Sequence, residues 1–176
     1  SNGNIEGCPV IGPDGELYNI MRYDMSKSEP NYGRVVAYKV NTKNPEKPLV
    51  FDRVIGFPGN HSKFEIQFDE ESDLYYSIIS RIRGSESSHD RNLLSLVSSP
   101  DLEHWSLVCD LIDRTDCDPK EIGFQYVDFF IEGNDILYQC RTAINGAYNF
   151  HDANYAMFHR VKDFRSFAKG EKANGK

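Results

Sequence analysis

The stretch Gly123-Phe124-Gln125-Tyr126-Val127-Asp128-Phe129-Phe130-Ile131 alternates and is rich in aromatic and β-branched residues. That pattern predicts a buried strand. A turn at Glu132-Gly133-Asn134 and a second strand from Asp135 to Thr142 complete a hairpin. The same phrase occurs three times. Leu17-Tyr18, Leu74-Tyr75 and Leu137-Tyr138 each open a second hairpin strand just after a turn, at steps of 57 and 63 residues. Eleven residues before each Leu stand Glu6, Lys63 and Tyr126. A purely structural repeat tends to carry interchangeable apolar residues at such positions, so this trio is a set of candidate functional residues.

Three units follow from the pattern, at about 6–58, 59–122 and 123–167, with a frayed lysine- and glycine-rich tail from Ala168. The first unit has strands at Cys8 to Ile11, Glu16 to Arg22, Arg34 to Val40 and Leu49 to Ile55. Gly12-Pro13-Asp14-Gly15 is its first turn, and a polar loop runs from Asp24 to Tyr32. The second has strands at Lys63 to Phe68, Leu74 to Ser80, Asn92 to Ser98 and Trp105 to Ile112, with a mobile hydrophilic loop from Arg81 to Asp90. The third continues from the opening hairpin through a Gly/Asn/His-rich loop, Asn145 to Asn154, to a strand at Tyr155 to Val161. No long amphipathic helix is expected. Four antiparallel strands in about 50 residues is the size of a propeller blade. The expected fold is all-β: a partial β-propeller of about three four-stranded blades in one domain. Closure takes roughly four to eight blades, so a homodimer or a missing N-terminal half is expected to complete the ring.

Composition narrows the partners. A net charge of −7 argues against nucleic acid or an anionic membrane surface, though not against a local basic pocket. No run of about 18 apolar residues spans a membrane. Ser1-Asn2-Gly3-Asn4 is neither a signal peptide nor a start methionine and reads as a processed start. Among the four cysteines no pair has CxxC spacing, so no zinc site is expected. Cys8 and Cys140 read as buried thiols. Cys109 and Cys117 are a candidate disulfide only in an oxidising compartment.

Four segments, in order, resemble the sialidase (neuraminidase) superfamily. The first is Glu6-Gly7-Cys8-Pro9-Val10-Ile11-Gly12-Pro13-Asp14-Gly15-Glu16-Leu17-Tyr18-Asn19-Ile20-Met21-Arg22, with 16 residues from glutamate to arginine. The second runs from Arg91-Asn92 through a strand to Ser99-Pro100-Asp101-Leu102-Glu103-His104-Trp105, a degenerate Asp-box without its usual glycine. The third is Tyr126-Val127-Asp128, and the last Tyr155-Ala156-Met157-Phe158-His159-Arg160-Val161. The resemblance covers nearly the whole chain but only the later half of a sialidase propeller.

The resemblance implies an exo-acting glycoside hydrolase that removes terminal sialic acid or a related acidic sugar. Tyr126 would be the nucleophile and Glu6 its base. Arg22 and Arg91 would grip the substrate carboxylate. A neutral nucleophile suits a substrate with a carboxylate on its anomeric carbon, and tyrosine sialidases are a recognised exception among glycosidases. His61 and Lys63 are further substrate-binding candidates at the mouth of the channel, with Asp128 from the tyrosine motif. His151-Asp152-Ala153-Asn154 leaves a metal pair, a substrate lid and a plain structural loop open; His151 and Asp152 are carried as substrate-binding candidates. The resemblance implies a secreted or periplasmic protein, a sialoside or related glycan as partner, and no cofactor. The family's Arg-Ile-Pro arginine and aspartate acid have no match here. Two alternatives stand beside it. One is a five-bladed glycosidase with Glu6 as general acid, a class whose motif the Ser99 to Trp105 turn also resembles. The other is a non-catalytic carbohydrate-binding propeller.

Overall fold

The computed structural model describes residues 3–24, 33–60, 62–83 and 90–169. The two expected loops at 24–32 and 81–90 and the expected tail fall mostly outside these residues, and His61 lies outside them. Strands β1 (Gly3–Ile11), β2 (Leu17–Asp24), β3 (Arg34–Lys39) and β4 (Val50–Gly56) form one antiparallel sheet. Strands β5 (Ile66–Asp69), β6 (Leu74–Ser80), β7 (Leu93–Ser99) and β8 (Ser106–Asp113) form a second. Strands β9 (Gly123–Glu132), β10 (Asp135–Ala143) and β11 (Tyr155–Val161) form a third, and a short helix, α1 (Phe164–Lys169), closes the described chain. This is an all-β, partial β-propeller fold.

The third sheet has three strands rather than the expected four. After β11 the chain turns into α1, because that turn has better uses for its side chains than a fourth strand. Phe164 is fully buried and meets Tyr76 edge-on at 5.0 Å. Arg165 is buried too, and donates to both oxygens of Asp69 at 2.7 and 2.6 Å. The helix thereby pins the third sheet to β5 of the second.

The repeated Leu-Tyr phrase is a packing device. Tyr18, Tyr75 and Tyr138 are each 3% exposed. The Tyr75 hydroxyl crosses between sheets to donate to the Ile11 carbonyl at 2.9 Å. Two apolar cores lie between successive sheets. Cys8, Ile20, Ala37 and Ile55 meet Phe64, Ile66, Ile79 and Val97 in the first. Ile78, Leu94 and Leu96 meet Phe124, Phe129, Ile136 and Cys140 in the second. The middle sheet is buried on both faces, so β6 and β7 are almost continuously apolar or small rather than alternating. The outer faces keep large apolar side chains in solvent: Val50, Phe51 and Val54 on β4, Phe130 on β9, and Tyr155 and Phe158 on β11.

Cys8 and Cys140 are buried as expected, and all four cysteines are free thiols, Cys109 and Cys117 included. The second sheet opens at Ile66, three residues later than expected from Lys63. The preceding segment is held instead by Phe64, fully buried and 4.6 Å from the Phe57 ring.

Candidate active site

Two bulges shape the site. The β1–β2 pairing shifts register between Ile5 and Cys8, and Glu6 sits in that break with φ 55°. The β9–β10 pairing shifts between Gln125 and Asp128, and Tyr126 sits there with φ 54°. A non-glycine residue in the left-handed region costs of order 1–3 kcal/mol and persists only where its surroundings hold it. Gly7 is part of that hold: a Cβ on it would lie 2.2 Å from Asn19 Oδ1.

The side chains released by the bulges meet. The Tyr126 phenol lies beside the Glu6 carboxylate, close enough for that carboxylate to raise it. Glu6 Oε2 also accepts from Arg22 Nη1 at 2.9 Å, and Arg22 Nε donates to the Asn60 carbonyl at 2.8 Å. The Tyr126 amide donates to Ser62 Oγ at 2.9 Å. Arg91 is 5% exposed and donates to Gln125 Oε1. Gln125 is fully buried, and its Nε2 donates to the carbonyls of Phe150 and His151, each at 2.9 Å. The Arg91 guanidinium lies 5.4 Å from the Phe150 ring centre. The Arg141 guanidinium lies 5.1 Å from that of Tyr126 and donates to the His151 carbonyl at 3.0 Å.

The electrostatics follow from that packing. Burial pushes the Tyr126 phenol above its ordinary value, and the neighbouring Glu6 carboxylate pushes it further; Arg91 and Arg22 pull it back. Burial lowers Arg91 to about 10, with the like charges of Arg22 and Arg141 adding to the effect. The Tyr126 phenol therefore rests protonated, beside the Glu6 side chain.

The sequence candidates divide into two groups. Glu6, Arg22, Arg91 and Tyr126 converge, and the loop carrying His151 and Asp152 lies beside them. His151 Nδ1 faces Asp152 Oδ1 at 3.2 Å, and Asn149 donates to the other Asp152 oxygen at 2.9 Å. Lys63 and Asp128 do not join. Lys63 precedes β5 in irregular chain and pairs with Glu65 at 3.4 Å, so the expected equivalence with Glu6 and Tyr126 fails at the second sheet. Asp128 lines a hollow of about 330 Å³ with Phe130, Gln139 and Phe158 on the outer face of the third sheet. The tyrosine motif had placed it with Tyr126; the register break between Gln125 and Asp128 separates the two.

Sequence reasoning missed Ser62, Gln125 and Arg141. Gln125 carried a signal, a polar amide in a strand read as buried. Ser62 and Arg141 carried none, because their partners are far away in the chain. The degenerate Asp-box is an intact turn: Asp101 Oδ1 accepts from the amides of Glu103 and His104 at 2.9 and 2.8 Å. Leu102 takes the left-handed conformation, φ 69°, where glycine is usual. Among the described residues no group of three His, Cys, Asp or Glu could hold a metal ion, and no helix is long and apolar enough to cross a membrane.

No protein-family model matches this chain, and no curated protein matches it. Solved structures do. A GH43 β-1,3-galactosidase is similar with TM-score 0.58 and 11% identity, over 92% of this chain and 30% of its own. An exo-β-1,3-galactanase from Clostridium thermocellum is similar with TM-score 0.56 and 14% identity, over 88% of this chain and 32% of its own. The chain thus spans about a third of the solved structures it matches. Both are glycosidases and neither is a sialidase, so of the expectation above they support a glycosidase-type propeller and not the sialidase superfamily. At these identities the likeness is one of fold: a propeller of the kind found in glycoside hydrolases.

Proposed function

We propose that this chain carries part of the active site of an exo-acting glycoside hydrolase for a terminal acidic sugar. The observation behind the reading is the convergence of Tyr126 and Glu6, each on a β-bulge, with Arg22 bonded to Glu6 and Arg91 beside them. In the first step the phenol oxygen attacks the anomeric carbon and its proton passes to Glu6. A glycosyl–tyrosine bond forms as the bond to the leaving oxygen breaks. That oxygen needs a proton from a second acid, which this constellation does not contain. Water then opens the intermediate, giving a proton back to that second acid, and Glu6 returns its own proton to the departing phenolate. Charge-assisted hydrogen bonds from the arginines, worth about 1.5–3 kcal/mol each, would orient the substrate carboxylate.

The similarity to the GH43 structures favours a second reading, a five-bladed glycosidase in which Glu6 is the general acid. There the neighbouring Tyr126 phenol only positions Glu6. A fluorinated sialyl fluoride, which slows breakdown of a glycosyl intermediate, separates the two in an active protein containing this chain. The first reading expects an adduct on the Tyr126 peptide and loss of aryl sialoside turnover in Tyr126→Phe. Absence of an adduct, with Tyr126→Phe still cleaving an aryl β-galactoside and Glu6→Gln inactive, would establish the second. The exposed apolar flanks of β4 and β11 fit ring completion, by a second copy or by further blades.

A further inference from the structure

We propose that Arg141 is a specificity-determining residue, its exposed guanidinium on the Tyr126 ring receiving the anionic group of an acidic sugar. The assignment rests on the reading of Glu6 and Tyr126 as the reacting pair.

Three cations gather at this site, and each is used differently. Arg22 is committed to Glu6 at 2.9 Å and to the Asn60 carbonyl at 2.8 Å. Arg91 is buried at 5% exposure, with Gln125 as acceptor and Phe150 as a ring neighbour. Arg141 alone of the three is exposed. It occupies β10 at the register break that faces the Tyr126 bulge, paired with Gln125 on one side and Ala156 on the other. Its guanidinium is 5.1 Å from the centre of the Tyr126 ring, within cation–π range. One Nη2 bond of 3.0 Å to the His151 carbonyl sets its direction.

This placement leaves a guanidinium stacked beside the candidate nucleophile, with donors to spare for a carboxylate fork. The Asp152 carboxylate senses Arg141, but its nearer partners are His151 and Asn149. The balance of Arg22, Arg91 and Arg141 against Glu6 is positive, within a chain of net charge −7. Like charges crowded together destabilise one another: after burial, the larger cause, Arg22 and Arg141 lower Arg91 further. A bound anion relieves that repulsion. Arg141 is the one of the three that is exposed to an incoming ligand.

The test is calorimetric binding of sialic acid and of galacturonic acid, each against its methyl ester, to the unmodified chain, Arg141→Gln and Arg141→Lys. The unmodified chain should prefer acid to ester. Arg141→Gln should lose about tenfold in affinity for the acid, with the ester unchanged. Arg141→Lys should fall between, since lysine keeps the charge but not the planar fork. Circular dichroism of the variants should match the parent, because the side chain is exposed. No binding of either acid, or equal binding of acid and ester by the unmodified chain, would overturn the acidic-sugar reading and the proposal with it. An acid preference that survives intact in Arg141→Gln would remove Arg141 alone. Equal losses for acid and ester would make it a structural support of Tyr126.

Discussion

Glu6 and Tyr126 occupy bulges on the first strands of the first and third sheets, in one backbone state, with φ 55° and 54°. The phenol of one lies beside the carboxylate of the other, and that carboxylate raises it. Two strained residues brought together point to a site that the fold is built to hold.

That proximity has a spectroscopic consequence. Glu6 raises the Tyr126 phenol, second only to burial. Glu6→Gln should therefore lower its titration, read as the ultraviolet difference between Glu6→Gln and Glu6→Gln/Tyr126→Phe. An unchanged phenol titration would separate the two side chains in solution.

Gln125 joins Arg91 to the loop that carries His151. Gln125→Leu should destabilise the chain by about 1–3 kcal/mol, since it strands two carbonyls and a guanidinium. Gln125→Glu keeps an acceptor for Arg91 and should retain more of that stability. Urea midpoints with unchanged m-values would measure both; indifference to Gln125→Leu would refute the link.

Gly123 sets how closely this loop lies on β9. A Cβ there would stand 2.4 Å from the Phe150 carbonyl oxygen, a backbone atom that cannot swing aside. Gly123→Ala should cost about 1–3 kcal/mol and raise amide exchange at Phe150 and His151. Protection equal to that of the parent would show the loop to be held by other means.

The buried Arg165–Asp69 pair fastens α1 to the second sheet. Removing one partner strands the other, at about 3–5 kcal/mol. Arg165→Met should thus unfold far more readily than the parent, and the double variant Arg165→Met/Asp69→Leu should recover much of the loss. A double variant no more stable than the single one would mean that the pair is not the fastening.

The same pair gives a pH dependence. The hydrogen bond from Arg165 holds the native Asp69 carboxyl below its ordinary value of 3.8. Its contribution is full above that value and is lost as pH falls through the lowered native one. Stability should decline more steeply below about pH 4 in the parent than in Asp69→Asn. Parallel acid curves would exclude Asp69 as a source of the decline.

Hairpins, turn positions and the three-fold phrase were all legible in the chain, because strand period and turn chemistry are local properties. So were Glu6, Arg22, Arg91 and Tyr126, through motif order and spacing. Tertiary structure decided what lies across the sheets. It set Ser62 under the Tyr126 amide, Gln125 between Arg91 and the loop, and Arg141 on the phenol ring. It left Lys63 in irregular chain before β5, paired with Glu65, and set Asp128 on the outer face of the third sheet beyond the Tyr126 bulge. It also ended the third sheet at three strands, because Phe164 and Arg165 are better buried against the second sheet than extended beside β11. A one-dimensional pattern records which residues alternate, but not which distant backbone they will meet.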